Sequence, residues 1–154
     1  MRRLALLPVF LLLCAALSAQ RVTVKDTVMR TYGYSDPDPV PRTGRIYPYH
    51  RYQSFALEGE DRLWKMVVLE NDFLRVKIFP QIGGKIWSVY DKKASRELFY
   101  DNPVVKFRDI SLRGPWTSGG IEFNYGIIGH APSCSSPVDY KVEKKADGSV
   151  SCYI

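Results

Sequence analysis

The sequence predicts an all-β chain, and three observations carry that expectation. Leu74-Arg75-Val76-Lys77-Ile78 alternates apolar and polar residues without a break, as a strand with one buried and one wet face must. Strand-length runs then recur between turn signals: Leu63 to Glu70 before Asn71-Asp72, and Lys85 to Tyr90 before Asp91-Lys92-Lys93. Beyond the N-terminus no stretch repeats its apolar residues with the helical period. Ten tyrosines, seven phenylalanines and three tryptophans suit pleated, half-buried surfaces.

Taken in order, the chain opens with Met1-Arg2-Arg3, an apolar run from Leu4 to Leu17, and then Ser18-Ala19-Gln20. A basic start, a short apolar stretch and small residues before a polar one are the parts of a secretory signal peptide. The apolar run falls short of the roughly 20 residues a membrane-spanning helix needs. Residues 1–19 are therefore expected to be cleaved after Ala19, and the protein to be periplasmic or extracellular, meeting a membrane only during export. Residues 20–44 are expected to supply an N-terminal strand, from the alternation Val22, Val24 against Thr23, Lys25, and then a linker. Ser35 to Pro41 contains three prolines, which lack a donor and hold their predecessors extended. An aromatic run, Tyr47-Pro48-Tyr49-His50-Arg51-Tyr52, follows.

Leu63 to Tyr100 reads as an antiparallel meander. Pro80 to Gly84 interrupts it, with Gly83 and Gly84 free to take positive φ. On the next strand Ile86 and Ser88 share one face, Trp87 and Val89 the other, and Trp64 and Trp87 are assigned to the core. Glu97 to Tyr100 forms a further short strand. Tyr140 to Lys145 and Val150 to Ile154 form a hairpin around Asp147-Gly148. Its second strand stops at the C-terminus, which predicts the opening portion of a larger domain over residues 45–154.

Cleavage removes two of the 22 basic residues and leaves 20 against 16 acidic ones, a net charge of +4. Both signs are mixed along the chain, without the basic stripe of a nucleic-acid binder. Nucleic acid is not an expected partner. Cys134 and Cys152 remain after cleavage. In an oxidising compartment they are either bridged, worth about 3 kcal/mol for a loop of that length, or free thiols. No paired cysteine or histidine motif suggests a metal. Gly83-Gly84-Lys85 is not a phosphate loop, because Ile86 stands where Ser or Thr is required. No cofactor is expected.

The stretch from Asn71 to Ser88, a strand ending in Pro80, a Gly83-Gly84 turn and the next strand, resembles the opening strands of galactose mutarotase-like domains. Asn102-Pro103-Val104, Arg113-Gly114-Pro115-Trp116, Ser118 to Asn124, Gly129-His130 and Ser136 to Tyr140 extend the likeness. Together they resemble a bacterial family called domain of unknown function 5107, over roughly residues 45 to 145. The resemblance implies a two-sheet antiparallel β-sandwich, a carbohydrate partner and tetratricopeptide repeats farther along the protein. It implies no established activity.

Arg113 to His130 concentrates the chemistry a sugar site needs: flat aromatic faces for C–H surfaces and planar polar groups for hydroxyls. Trp116, Arg113, Asn124 and Tyr125 are the candidate substrate-binding residues, and His130 and Glu122 the candidate catalytic pair. The interleaved glycines mark a shaped loop, where binding residues tend to sit. If Ile121 and Phe123 face inward on a short strand, Glu122 and Asn124 project together from the other face. Mutarotation needs an acid at the ring oxygen and a base at the anomeric hydroxyl; His130 suits the first role and Glu122 the second. A glycosidase would need two carboxylates, and Glu122 has no evident second. Each residue also has a plainer role open to it: His130 as a loop hydrogen-bonder, Glu122 as a solvated carboxylate, Trp116 as packing. An enzyme domain, a non-catalytic sugar-binding or scaffolding module, and a fragment without independent activity remain the alternatives.

Overall fold

A computed structural model describes residues 20–33, 58–109, 115–124, 130 and 132–154. The signal-peptide residues, the proline-rich linker, Arg113 and Tyr125 lie outside the described residues.

Six strands form the main sheet: β1 (Arg21–Tyr32), β2 (Glu60–Glu70), β3 (Leu74–Phe79), β4 (Lys85–Asp91), β5 (Arg96–Glu97) and β6 (Val104–Lys106). Their order is β5-β4-β3-β2-β1-β6. Two short ribbons accompany it. One joins β7 (Arg108–Asp109) to β8 (Pro115–Trp116); the other joins β9 (Lys141–Lys144) to β10 (Val150–Tyr153). Among the described residues a single 3-10 turn, Pro132–Ser135, lies between them in sequence. The all-β expectation holds. The meander from β2 to β5 is antiparallel, but β1 and β6 pair in parallel, Arg30 opposite Val104 and Tyr32 opposite Lys106, so the sheet is mixed.

β1 and β2 form its longest pair, in register from Arg21↔Glu70 to Thr31↔Glu60. The strand read from Val22 and Val24 against Thr23 and Lys25 is present, but its valine face is the outer one: Val24 and Val28 are exposed, and Met29 and Thr31 turn toward the core. That exposed face carries cross-strand ion pairs, Lys65 to Asp26 at 3.0 Å and Arg30 to Asp61 at 3.4 Å. Solvated pairs of this kind contribute little to stability. The stabilising weight lies on the opposite face. There Trp64, Met66 and Val68 of β2 meet Phe79, Ile82, Trp87, Val105 and Phe107 in one cluster. Phe79 sits edge-on to Trp87, ring centres 4.8 Å apart, and to Trp64 at 6.1 Å. Both indole N–H groups are satisfied, Trp64 donating to Thr31 Oγ1 at 2.8 Å and Trp87 to the Asn102 carbonyl at 3.0 Å. Burying an indole therefore leaves no orphan donor.

Two details of this sheet prepare the site. The β3–β4 turn needs glycine at Gly83, where φ is +61° and a Cβ would lie 2.6 Å from the backbone of Ser133 and Cys134. The 3-10 turn is seated directly on it, and Gly83 N–H donates to the Ser136 carbonyl at 2.7 Å. Then β4 bulges: Lys77 pairs with Ser88 and Ile78 with Ile86, leaving Trp87 as the extra residue. The expected strand Glu97 to Tyr100 is shorter than read, ending at Glu97. After the Leu98 N–H donates to the Val89 carbonyl, the chain leaves that edge of the sheet to reach β6 at the opposite one. The β9–β10 hairpin follows the sequence reading, with Val150 opposite Lys144 and Tyr153 opposite Lys141. Cys134, buried, and Cys152, partly buried, are not bridged to each other.

Candidate functional site

The site begins with a lysine on the wrong face of a strand. Lys85 opens β4 opposite the core residue Phe79, on the face of Trp87, and is only 2% exposed. An ammonium taken out of water requires donors' partners and countercharge. Its Nζ donates to the Thr117 carbonyl at 2.5 Å and to Thr117 Oγ1 at 3.1 Å. The rings of Trp87 and Trp116 stand 5.8 and 5.9 Å from it, within cation–π range. Burial pushes the Lys85 pKa down, and the charge of Glu122 pulls it back up.

Glu122 reaches this cluster through a second strained turn. Gly120 has φ +64°, and a Cβ there would lie 2.1 Å from the Ile86 carbonyl oxygen. That close approach lets Ile121 and Ile86 exchange backbone hydrogen bonds of 2.8 and 3.1 Å, a one-residue antiparallel bridge. Locking Ile121 to β4 places Glu122 beside the lysine. The expected period-two arrangement does not occur, because no strand continues past Ile121. Ile121 is 38% exposed while the Glu122 side chain is 12% exposed, and Asn124 is exposed. Glu122 and Asn124 thus do not project together.

Three groups engage the Glu122 carboxylate. Lys85 supplies countercharge. The Cys134 thiol hydrogen-bonds to it; burial first, then the Glu122 charge and this bond, push the thiol up to about 12. Cys134 is therefore a neutral donor rather than a nucleophile. His130 is the third, with Nδ1 2.7 Å from Glu122 Oε1. The contact has ion-pair distance, although the carboxylate lies off the line along which Nδ1–H would donate. His130 is itself held at φ +55°, a region that non-glycine residues enter at a cost.

Trp116 joins this cluster to an open groove. Its ring meets that of His130 nearly perpendicularly, 82° with centres 6.1 Å apart. It also lines a groove of about 350 Å³ together with Tyr100, Asn102, Val104, Lys106 and Ser118. Asn102 is 6% exposed and braces the wall, its Nδ2 donating to Ser118 Oγ at 2.8 Å.

Of the residues singled out from sequence, Trp116, Glu122 and His130 come together. Asn124 is exposed three residues after the Ile121 bridge, and Arg113 and Tyr125 lie outside the described residues. Sequence reasoning passed over Lys85, Thr117 and Cys134, and the groove residues Tyr100, Lys106 and Ser118. For Lys85 a signal existed: it lies two residues before the core residue Trp87, and a lysine in phase with a core residue is rarely solvated. For the groove residues none existed, because they come together only through the crossover from β5 to β6.

Comparison with known proteins places this geometry in a family. The family model described as domain of unknown function (DUF5107) matches residues 41–154. The chain belongs to that family. A solved structure is similar over 84% of this chain, at 27% sequence identity and a TM-score of 0.75: the crystal structure of a TPR-domain containing protein from Parabacteroides distasonis ATCC 8503. The match covers 23% of that protein, so the chain spans about a quarter of its length. The family match begins after β1, yet β1 lies inside the six-stranded sheet, between β2 and β6.

Proposed function

We propose that this DUF5107 chain is the carbohydrate-binding part of an exported protein, and that the Trp116 groove holds the sugar. One observation carries the reading: Trp116 and Tyr100 line one open groove, and His130, in contact with Glu122, packs edge-on against the same indole. An aromatic ring packs on the C–H face of a sugar, while Ser118 and Lys106 supply polar contacts to its hydroxyls. The Met1 to Ala19 leader supports an extracytoplasmic setting. In this reading the sheet is one layer of a mutarotase-type sandwich, and likeness to a TPR-domain containing protein supports repeats elsewhere in the parent protein.

Binding is favoured over catalysis because Glu122 is already engaged by Lys85, Cys134 and His130. A carboxylate so committed positions its neighbours better than it abstracts a proton from an anomeric hydroxyl. The test is calorimetric titration of the intact protein with glycans first selected on an array. Trp116→Ala should weaken binding at least tenfold, about 1.4 kcal/mol, with an unchanged circular dichroism spectrum. Undiminished affinity in that variant would remove the groove from consideration.

A further inference from the structure

The main sheet is closed at one edge and open at the other. At the β5 edge the backbone of β4 is occupied. Tyr90 and Asp91 pair with Glu97 and Arg96, the Val89 carbonyl accepts from the Leu98 N–H at 2.8 Å, and Ile86 exchanges bonds with Ile121. At the other edge β1 pairs with β2 from Arg21 to Thr31, but β6 covers only Arg30 to Tyr32. From Arg21 to Met29, the side of β1 turned away from β2 therefore meets no strand among the described residues. A bare row of backbone donors and acceptors is a template for a further strand. Two common defences against such pairing are missing: Val22 to Met29 contains no proline or glycine, and its register with β2 runs without a bulge. On the outer face Val24 is 43% and Val28 61% exposed, and Leu63, opposite Val28, is 64% exposed. On the other face Lys25 is exposed and holds no ion pair among the described residues, while Asp26 next to it is tied to Lys65 at 3.0 Å. A second copy of this edge fits poorly. The twofold register that uses all of Arg21 to Met29 sets Lys25 opposite Lys25, and the next one sets Asp26 opposite Asp26. Like charges facing across a ladder are destabilising.

We propose that the open edge of β1 docks an extended segment of a partner protein in which apolar residues alternate with acidic ones. The segment adds as a further strand along Arg21 to Met29 and stops where β6 takes over the edge at Arg30. Its backbone supplies the missing side of the ladder. Period-two alternation then sends its apolar side chains to the face of Val24 and Val28 and its carboxylates to the face of Lys25.

The experiment titrates the intact protein into a fluorescently labelled peptide of alternating valine and glutamate, and into a matched peptide with lysine in place of every glutamate. Anisotropy should show the glutamate peptide bound about fivefold more tightly or better, with the preference shrinking as ionic strength rises. Lys25→Glu, a change at an exposed position, should reverse the order of the two peptides. In a strand the amides of valines and glutamates point to opposite edges, so N-methylating one set should abolish binding and N-methylating the other should spare it. Equal affinity for both peptides, an order that survives Lys25→Glu, tolerance of methylation at both sets, or binding of neither peptide would overturn the inference. So would a dimer of the free protein that the glutamate peptide fails to dissociate, which would assign the edge to a second copy.

Discussion

Replacing Lys85 by methionine keeps the stem and roughly the volume of the side chain but deletes its charge. Two hydrogen bonds from a charged donor disappear, at 2.5 and 3.1 Å to Thr117, each worth about 1.5–3 kcal/mol. The carbonyl of Thr117, a residue 2% exposed, loses its partner, and Glu122 loses its cation. Against this stands relief from desolvating an ammonium, an effective penalty of several kcal/mol, roughly. The balance should be a loss of about 2–4 kcal/mol. For a chain of this size that lowers Tm by on the order of 5–15 °C. Urea unfolding followed by tryptophan fluorescence measures it, and a double-mutant cycle with Glu122→Gln should give a coupling of about 1 kcal/mol or more. A pH series adds a signature. The folded pKa of Lys85 is depressed below 10.5, so between the two values the unfolded chain binds more protons. Stability from this group must then rise with pH across that window. Lys85→Met should remove that limb. A variant as stable as the parent, or an unchanged alkaline profile, would refute the role assigned to the buried ammonium.

Three further outcomes follow from the same geometry. Gly120→Ala places a methyl 2.1 Å from the Ile86 carbonyl oxygen at positive φ; it should cost about 2 kcal/mol or more, read by thermal melting, and reduce glycan affinity through the displaced Glu122. In native protein at mildly alkaline pH, a thiol reagent should modify Cys152 slowly and Cys134 only after unfolding, since burial raises both thiols and takes Cys134 to about 12; two rapidly reacting thiols would contradict the buried cluster. Finally, the ion pair from Lys92 holds the Glu70 carboxyl below 4.5, so its stabilisation is present above that value and lost as pH falls through the depressed one. Lys92→Met should flatten part of the acid limb of a stability–pH curve by a few tenths of a kcal/mol, roughly.

Much of the sheet was legible because strand physics is local. The alternation of Leu74 to Ile78, the apolar run of β2 and the Asp147-Gly148 hairpin each appear where the residues place them. Trp64 and Trp87 are core residues, as their flanking patterns require. The site was legible only in part. Trp116, Glu122 and His130 drew attention as chemically capable residues in a glycine-rich stretch, and they do meet. Their partner Lys85 lies 31 to 45 residues earlier, and only its parity with Trp87 hinted that it points inward. The period-two reading of Ile121 to Asn124 failed because one bridge to Ile86, permitted by Gly120, ends the strand at a single residue.

The sequence by itself determined the main strands, their turns and the buried face of the central ones, since side-chain alternation and glycine or proline punctuation act over a few residues. Only the tertiary structure decided which distant segments became neighbours. The parallel pairing of β1 with β6 and the seating of Cys134 on Gly83 join residues far apart in the chain. Contacts of that kind depend on burying one common face and satisfying one buried charge. No local pattern encodes either condition.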